Sequence, residues 1–142
     1  MSYNFNNALI RKLNKNIIKA ISSQNLIPSF KKIEVCINSY KKLLENAGLK
    51  VSVLESLEDF PDSIFVEDPG IIFDKNFISL RPGNITRFGE SKILLNNIKN
   101  LFSNTFEVEK GFIEGGDVLC INNHFIIGLS SRTSRIGAEG LQ

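Results

Sequence analysis

Five acidic residues in two clusters have the chemistry to bind a cation. They are Asp62, Glu67 and Asp68, on either side of a short apolar run, and Glu114 and Asp117, on either side of a Gly-Gly pair. Because an unpaired carboxylate is costly to bury, carboxylates gathered at the ends of buried strands indicate a ligand of opposite charge. A guanidinium suits such a cluster, since its planar set of N–H groups donates paired hydrogen bonds to carboxylates.

Two arginines could bind the opposite end of the same ligand. Arg87 and Arg132 each lie in a loop that follows a predicted hairpin, where they could hold a carboxylate. Carboxylates at one end and arginines at the other describe a site for an arginine-like amino acid. The same residues also fit ordinary surface turns, because acid-Pro-Gly and Gly-Gly-Asp are turn signals and a loop arginine is usually solvated. Residue types alone therefore leave both interpretations open.

Apolar periodicity predicts the elements that would position these residues. The clearest is a helix over residues 30–47, with Ser29 as its cap, Gly48 as its stop and Cys36 on its apolar face, where we expect a buried structural cysteine. A second helix is expected over residues 89–102, and a third begins at 134. Predicted strands cover residues 8–10, 51–54, 64–66 and 106–108, and hairpins cover 71–80 and 117–129. A helical turn is expected within residues 11–28, near Ile17.

A repeat runs through the second half of the chain. Phe125 follows Phe77 by 48 positions, and Gly137 follows Gly89 by the same interval. Each copy has an acidic residue, a strand, a tight turn, a second strand, an arginine-containing loop and a glycine before a helix. Such a unit cannot bury its own apolar face, so neighbouring units must pack together. We expect one domain over residues 1–142, with units at about 1–66, 67–113 and 114–142, the last of them incomplete.

Composition excludes several classes of protein. Of the 142 residues, 42% are hydrophobic and 23% charged, and the net charge of +2 is too small to indicate a nucleic-acid or membrane partner. No apolar run approaches the roughly 18 residues of a membrane span, and the first residues lack signal-peptide features. Cys36 and Cys120 form no C-x-x-C pair, so a cytoplasmic protein without a metal site is expected.

Four motifs in order resemble the bacterial dimethylarginine dimethylaminohydrolase family. They are FPDSIFVEDP at residues 60–69, RPGNITRFGE at 81–90, EGGDVL at 114–119 and GLSSRTS at 128–134. The resemblance implies the α/β pentein fold of the amidinotransferase superfamily, built from about five ββαβ units, of which this chain would hold roughly two to three. It also implies hydrolysis of methylated arginine to citrulline and a methylamine through a covalent cysteine intermediate, without a cofactor.

The resemblance assigns roles to the matching residues. Asp68 would hold the guanidinium, and Glu114 would bind the same group and orient a catalytic histidine. Arg87 and Arg132 would clamp the substrate carboxylate. The residues implied at the amino end of the substrate are Asp62 and Glu67, with Ile17 as an apolar contact.

The catalytic histidine and cysteine of the family have no match in this sequence. His124 is expected to be an exposed turn residue, and Cys36 and Cys120 to be packing residues. The chain alone is therefore expected to be inactive and to expose apolar faces. Alternatives left open are an arginine deiminase-like hydrolase, a non-catalytic remnant that binds an arginine-like ligand, and a structural fragment without a ligand. The sequence does not indicate an oligomeric state.

Overall fold

A computed structural model describes residues 5–22 and 27–141 of the chain. These residues form a mixed α/β structure that divides into two compact units, Met1–Phe65 and Val66–Gln142. Residues 23–26, within the segment where a helical turn was expected, and Gln142, at the end of the third predicted helix, lie outside the described residues. No helix in the described part of the chain is long and apolar enough to cross a membrane.

The first unit is a parallel strand pair joined by a helix. Strand β1 (Asn7–Arg11) pairs with β2 (Lys50–Leu54), and helix α1 (Phe30–Asn46) lies between them in the chain. The predicted helix limits are confirmed: α1 begins after Ser29, and the chain leaves it at Gly48, whose φ of 86° is accessible to glycine. The expected helical turn is a 3₁₀ turn at Lys15–Lys19, with Ile17 buried.

The prediction of a buried cysteine on α1 is wrong. Cys36 is exposed, and none of the helix residues is buried. Within its unit α1 packs against β2 and the turn at Lys15–Lys19. Ile33 and Ile37 are only partly covered, and Leu43 is 66% exposed. Helical spacing identifies an apolar stripe, but only the neighbouring elements decide whether that stripe is covered.

The expected strand at residues 64–66 is also wrong, because the chain turns there. The amide of Ser63 donates to the carbonyl of Phe60, and the amide of Phe65 donates to the carbonyl of Asp62. These are i to i+3 bonds typical of turns, and the Phe65 side chain is 46% exposed. The residues buried here are polar, Asp62 and Ser63. A short apolar run therefore did not identify the buried side of this segment.

Two buried polar side chains of the first unit hold this turning segment. Arg11 Nε donates to the Ser63 carbonyl at 3.1 Å, and its Nη1 donates to the Glu55 carbonyl at 2.8 Å. Asn14 Nδ2 donates to the Phe60 carbonyl at 3.0 Å and lies 3.3 Å from Ser63 Oγ. The segment around Asp62 is thus fixed to the end of β1 by side chains and not by strand pairing.

The second unit opens with the expected ββαβ motif. Strands β3 (Gly70–Phe73) and β4 (Asn76–Ser79) form an antiparallel hairpin, and β5 (Asn104–Glu107) pairs with β4 in parallel. Helix α2 (Glu90–Ile98) connects β4 to β5 and ends before the predicted residue 102, in a 3₁₀ turn at Lys99–Leu101. The core of the unit centres on Leu80, Val108 and Ile113.

A second hairpin and a short helix follow. Strands β6 (Val118–Ile121) and β7 (His124–Ile127) are antiparallel, and α3 (Arg135–Glu139) is capped by Ser134, whose Oγ accepts from the Gly137 amide at 3.1 Å. Phe77 and Phe125 are each the second residue of their strand, as the repeat predicts. Gly89 and Gly137 differ, because Gly89 caps α2 whereas Gly137 lies inside α3. His124 begins β7 and is exposed.

The Gly-Gly turn packs directly on the backbone of the first acidic cluster. Residues 115–117 form a 3₁₀ turn, and the Gly115 amide donates to the Asp68 carbonyl at 2.9 Å. A Cβ on Gly115 would lie 2.0 Å from the Glu67 carbonyl oxygen, closer than any real contact. Only glycine therefore allows the two acidic segments to meet at this point.

We expect Gly115→Ala to destabilise the protein by about 1–3 kcal/mol, the usual cost of forcing extra atoms into a packed site. The matched control is Gly128→Ala, because the nearest atom to its added Cβ, the Asp117 carbonyl oxygen, lies at an ordinary 3.7 Å. That control should change the free energy of unfolding by less than about 0.5 kcal/mol. Urea denaturation measures both, and equal effects of the two variants would contradict the close packing of Gly115.

Candidate functional site

A buried ion cluster lies in the second unit, where the loop after β4 meets α2. Arg87 Nε donates to Glu90 Oε2 at 2.7 Å and Nη2 donates to Glu90 Oε1 at 2.9 Å, so the pair is bidentate. Arg87 Nη1 donates to Asp68 Oδ2. Arg87 is 3% exposed and Glu90 0%. Each of the three side-chain nitrogens of Arg87 thus contacts a carboxylate oxygen. Nε and Nη2 contact Glu90, and Nη1 contacts Asp68.

The charge of Arg87 is held by these two acids. Burial acts to lower the pKa of the Arg87 guanidinium, but the hydrogen bonds and charges of Glu90 and Asp68 outweigh it, so the pKa is raised. Arg87 is therefore a permanent cation between two anions, and the three side chains carry a net charge of about −1 when all are ionised.

Glu114 is also a buried carboxylate, but it lacks the hydrogen bonds that hold Glu90 and Asp68. Its side chain is 1% exposed, and neither oxygen accepts a hydrogen bond from any described residue. Arg132 Nη1 lies 3.1 Å from Glu114 Oε2, within ion-pair distance but without hydrogen-bond geometry. Arg132 itself is 50% exposed, so it competes with water for this contact. A buried acid left in this state is costly and is typical of a functional group.

The electrostatics of Glu114 follow from this burial. Desolvation raises the pKa of the Glu114 carboxyl above the ordinary 4.5, and the nearby Asp68 raises it further, while the charge of Arg132 opposes the shift. The carboxyl therefore takes up a proton more readily than an exposed glutamate does. A cation that donates hydrogen bonds to Glu114 would favour its ionised form.

Asp117 organises the loop that carries Arg132. Its Oδ2 accepts from Thr133 Oγ1 at 2.6 Å and from Ser130 Oγ at 2.7 Å, and Ser130 Oγ accepts from the Arg132 amide at 3.0 Å. Partial burial acts to raise the pKa of Asp117, but the hydrogen bonds from Thr133 and Ser130 outweigh it and lower the pKa. Asp117 thus stays ionised and fixes the backbone beside Glu114, whose amide donates to Thr133 Oγ1 at 3.2 Å.

The Gly-Gly turn brings the two acidic groups together. Gly115 bonds to the Asp68 carbonyl, and a Cβ on Gly116 would lie 3.2 Å from Asp68 Oδ1. Asp68 and Arg87 both influence the ionisation of Glu114 through their charges. The described residues of this unit therefore place the carboxylates of Asp68 and Glu114 around one turn, which suits a planar cation with several N–H donors.

The remaining predicted residues are Asp62, Ile17 and Glu67. Asp62 and Ile17 belong to the first unit, where Asp62 Oδ1 accepts from the Ile21 amide at 3.1 Å and both side chains are buried. Glu67 is exposed, and its backbone carbonyl faces Gly115. The binding roles given to these three residues stay predictions.

Sequence reasoning missed Glu90, Ser130 and Thr133 as parts of the site. Glu90 carried a usable signal, since an acid three residues after an arginine can meet it at the start of a helix. Ser130 and Thr133 lie beside Arg132 in the motif at residues 128–134, where the resemblance assigns a role to Arg132 alone.

The cysteines and the histidine show no catalytic arrangement among the described residues. Cys36 is exposed on α1, and Cys120 on β6 is partly buried with its Sγ 3.7 Å from the Asn122 carbonyl. His124 is exposed at the start of β7. The described residues contain no group of three or more His, Cys, Asp or Glu placed to hold a metal ion.

Comparison with known proteins gives a consistent result. Over 138 residues the chain is 31% identical to N(G),N(G)-dimethylarginine dimethylaminohydrolase of Pseudomonas aeruginosa, covering 95% of this chain and 54% of that protein. It is 30% identical over 106 residues to the enzyme of the same name from Streptomyces coelicolor, covering 74% of this chain and 41% of that protein. No protein-family model matches.

Solved structures agree. The Pseudomonas aeruginosa enzyme complexed with citrulline matches with a TM-score of 0.93 at 30% identity, over 98% of this chain and 56% of that chain. The N-terminal domain of ArgZ, a cyanobacterial arginine dihydrolase, matches with a TM-score of 0.76 at 14% identity, which bears on the fold alone. The predicted pentein fold is confirmed. The chain, which spans about half the length of the curated relatives it matches, belongs to the dimethylarginine dimethylaminohydrolase-like part of the amidinotransferase superfamily.

Proposed function

We propose that this chain binds the guanidinium of an arginine-like substrate between Asp68 and Glu114. The observation that carries the proposal is the buried Glu114 carboxylate, whose oxygens accept no hydrogen bond from a described residue. A guanidinium would supply both N–H donors and positive charge, and so would satisfy Glu114 and the nearby Asp68 together. A neutral ligand would supply N–H donors but no positive charge.

The reaction we propose for this site is the hydrolysis of methylated arginine to citrulline and a methylamine. Its support is family membership and the citrulline complex of the Pseudomonas aeruginosa relative. In this proposal Glu114 contacts the reacting guanidinium and orients a histidine. The covalent step is assigned to none of Cys36, Cys120 and His124, because the resemblance matches none of them to the catalytic cysteine or histidine of the family.

Arg132 is the arginine best placed to bind the carboxylate of the substrate. Its side chain is half exposed and donates no hydrogen bond to a described residue, and its loop is fixed by Asp117. A substrate guanidinium at Glu114 would replace the charge of Arg132 there and leave Arg132 able to turn toward the other end of the substrate. The amino end is proposed to meet Asp62 or Glu67, as the resemblance implies.

Arginine and dimethylarginine should bind to the chain, and Asp68→Asn and Glu114→Gln should each weaken binding about tenfold to hundredfold, because a hydrogen bond to a charged group contributes about 1.5–3 kcal/mol. NMR titration or calorimetry measures the affinity. Glu114→Gln should at the same time raise the midpoint of thermal unfolding, since it removes a desolvated charge. The control Glu109→Gln changes an exposed acid of the same unit and should alter neither property.

An unchanged affinity in both Asp68→Asn and Glu114→Gln would reject the site. A loss of binding together with a lower melting temperature in Glu114→Gln would show that the glutamate is structural.

Binding of arginine should weaken as the pH falls, and the loss should begin above the ordinary glutamate value of 4.5 because the pKa of Glu114 is raised. The sign follows from competition: protonation neutralises Glu114 and removes its attraction for a cation. Citrulline has the same length but no charge on its ureido group, so its affinity should depend less on pH. Titrations from pH 7 to pH 4.5 with both ligands test this, and equal pH dependence for the two would contradict a role for ionised Glu114.

Binding without turnover is the second function that an observation favours, because among the described residues Cys120 Sγ contacts the Asn122 carbonyl and His124 is exposed, so the two do not pair as nucleophile and base. The purified chain should release no citrulline from dimethylarginine or from arginine, while still binding both. A citrulline assay with mass-spectrometric detection measures this directly. Release from arginine but not from dimethylarginine would instead support the arginine deiminase-like alternative, and release that disappears in Cys120→Ser would identify a nucleophile within this chain.

A further inference from the structure

The carboxylate of Asp62 accepts a hydrogen bond from the described residues at only one of its two oxygens. Asp62 is 5% exposed, and its Oδ1 accepts from the Ile21 amide at 3.1 Å. Its Oδ2 is buried and accepts no hydrogen bond from a described residue. Because a buried carboxylate oxygen without a donor is costly, Oδ2 suits a cationic N–H donor of a ligand. Glu67, the other acid implied at the amino end of the substrate, is exposed.

A turn of the backbone determines where the Asp62 carboxylate lies. The Ser63 amide donates to the Phe60 carbonyl at 3.0 Å, so Asp62 lies inside a β-turn. A change in the backbone angles of this turn would carry the carboxylate away from the Ile21 amide. Any group that holds the turn therefore also holds the Asp62 carboxylate.

The side chain of Asn14 holds both ends of this turn. Its Nδ2 donates to the Phe60 carbonyl at 3.0 Å and to Ser63 Oγ at 3.3 Å, on either side of Asp62 in the sequence. Asn14 is 1% exposed and Ser63 0%, so both contacts lie away from solvent. A side-chain amide has two N–H donors, and Asn14 directs both of them at one turn.

Asn14 also begins the segment that meets Asp62 from the other side. It immediately precedes the 3₁₀ turn at Lys15–Lys19, and the chain continues from there to the Ile21 amide that donates to Asp62 Oδ1. The two contacts of the Asn14 amide thus tie the segment that carries Ile21 to the turn that carries Asp62.

We infer that Asn14 is a positioning residue that holds the Asp62 carboxylate for the ammonium group of an amino-acid ligand. The inference rests on the proposed function for its ligand and adds a residue to the amino end of that site. Asn14 acts through the turn and makes no contact with the ligand. The affinity for the ammonium group, and not the affinity for the guanidinium, therefore depends on Asn14.

Arginine and δ-guanidinovalerate, which is arginine without its amino group, separate this role from a general effect on structure. Both ligands carry a guanidinium and a carboxylate, but only arginine has an ammonium group. The unaltered chain should bind arginine about tenfold more tightly, because the ammonium adds a charge-assisted hydrogen bond. In Asn14→Ala the affinity for arginine should fall about tenfold, and that for δ-guanidinovalerate by less than about twofold. Calorimetry measures both affinities.

The matched control is Asn16→Ala. Asn16 lies in the same 3₁₀ turn, and its Nδ2 donates to the Glu58 carbonyl at 2.8 Å, outside the turn that carries Asp62. This control should leave both affinities unchanged. Equal losses for the two ligands in Asn14→Ala, or no loss for arginine, would overturn the inference. Equal affinities of the unaltered chain for the two ligands would also overturn it, while leaving the proposed guanidinium site intact.

Ser63→Ala covers the case in which Asn14→Ala does not fold. It removes one of the two acceptors of Asn14 Nδ2 and keeps the bond to the Phe60 carbonyl. The affinity for arginine should fall about threefold and that for δ-guanidinovalerate should stay unchanged, because one neutral hydrogen bond is lost. An unchanged affinity for arginine in this variant would overturn the inference.

If the unaltered chain binds neither ligand, the proposed function fails and the positioning of Asp62 is decided without ligand. The Ile21 amide proton should exchange with solvent about tenfold faster in Asn14→Ala than in the unaltered chain, because its bond to Asp62 Oδ1 depends on the turn. In Asn16→Ala the exchange rate should stay the same. An Ile21 amide that exchanges equally fast with and without the Asn14 side chain would overturn the inference.

Discussion

The second unit depends on the buried guanidinium of Arg87 and the two acids that hold it. Removing a cation from water is expensive, and the geometry compensates for this with a bidentate pair and a third hydrogen bond. The three side chains also join separate parts of the chain, since Asp68 precedes β3, Arg87 lies in the loop after β4 and Glu90 begins α2. The start of the ββαβ motif is therefore fixed by the same ion cluster that presents Asp68.

Glu114 is also buried, but the burial of its charge is poorly compensated. It is as buried as Arg87, yet among the described residues the only partner of its carboxylate is a half-exposed arginine outside hydrogen-bond geometry. The Gly-Gly turn that follows Glu114 packs on the backbone of Glu67 and Asp68. Asp68 is paired with Arg87, whereas the carboxylate of the neighbouring Glu114 accepts no hydrogen bond from a described residue. Such a site favours ligands that bring positive charge and hydrogen-bond donors to Glu114.

The apolar surface of the chain is a separate matter from the site. Leu43 on α1, Phe106 on β5 and Ile126 on β7 are more than half exposed. The exposed apolar faces expected from the sequence are thus present in both units. Their strand and helix patterns are ordinary, so the exposure arises from the number of neighbouring elements and not from unusual sequences.

The sequence by itself determined the order of the elements, the repeated hairpins and the family. These depend on local periodicity, turn residues and motif spacing, all of which can be read along the chain. It did not determine that Cys36 is exposed or that residues 61–65 form turns, because the exposure of a side chain is set by neighbours distant in the sequence. Nor did it reveal that Arg87 contacts Glu90 and Asp68 at once, or that no described residue donates a hydrogen bond to the Glu114 carboxylate. Only the tertiary structure decides such pairings, because the energy of a charge depends on which groups surround it in space.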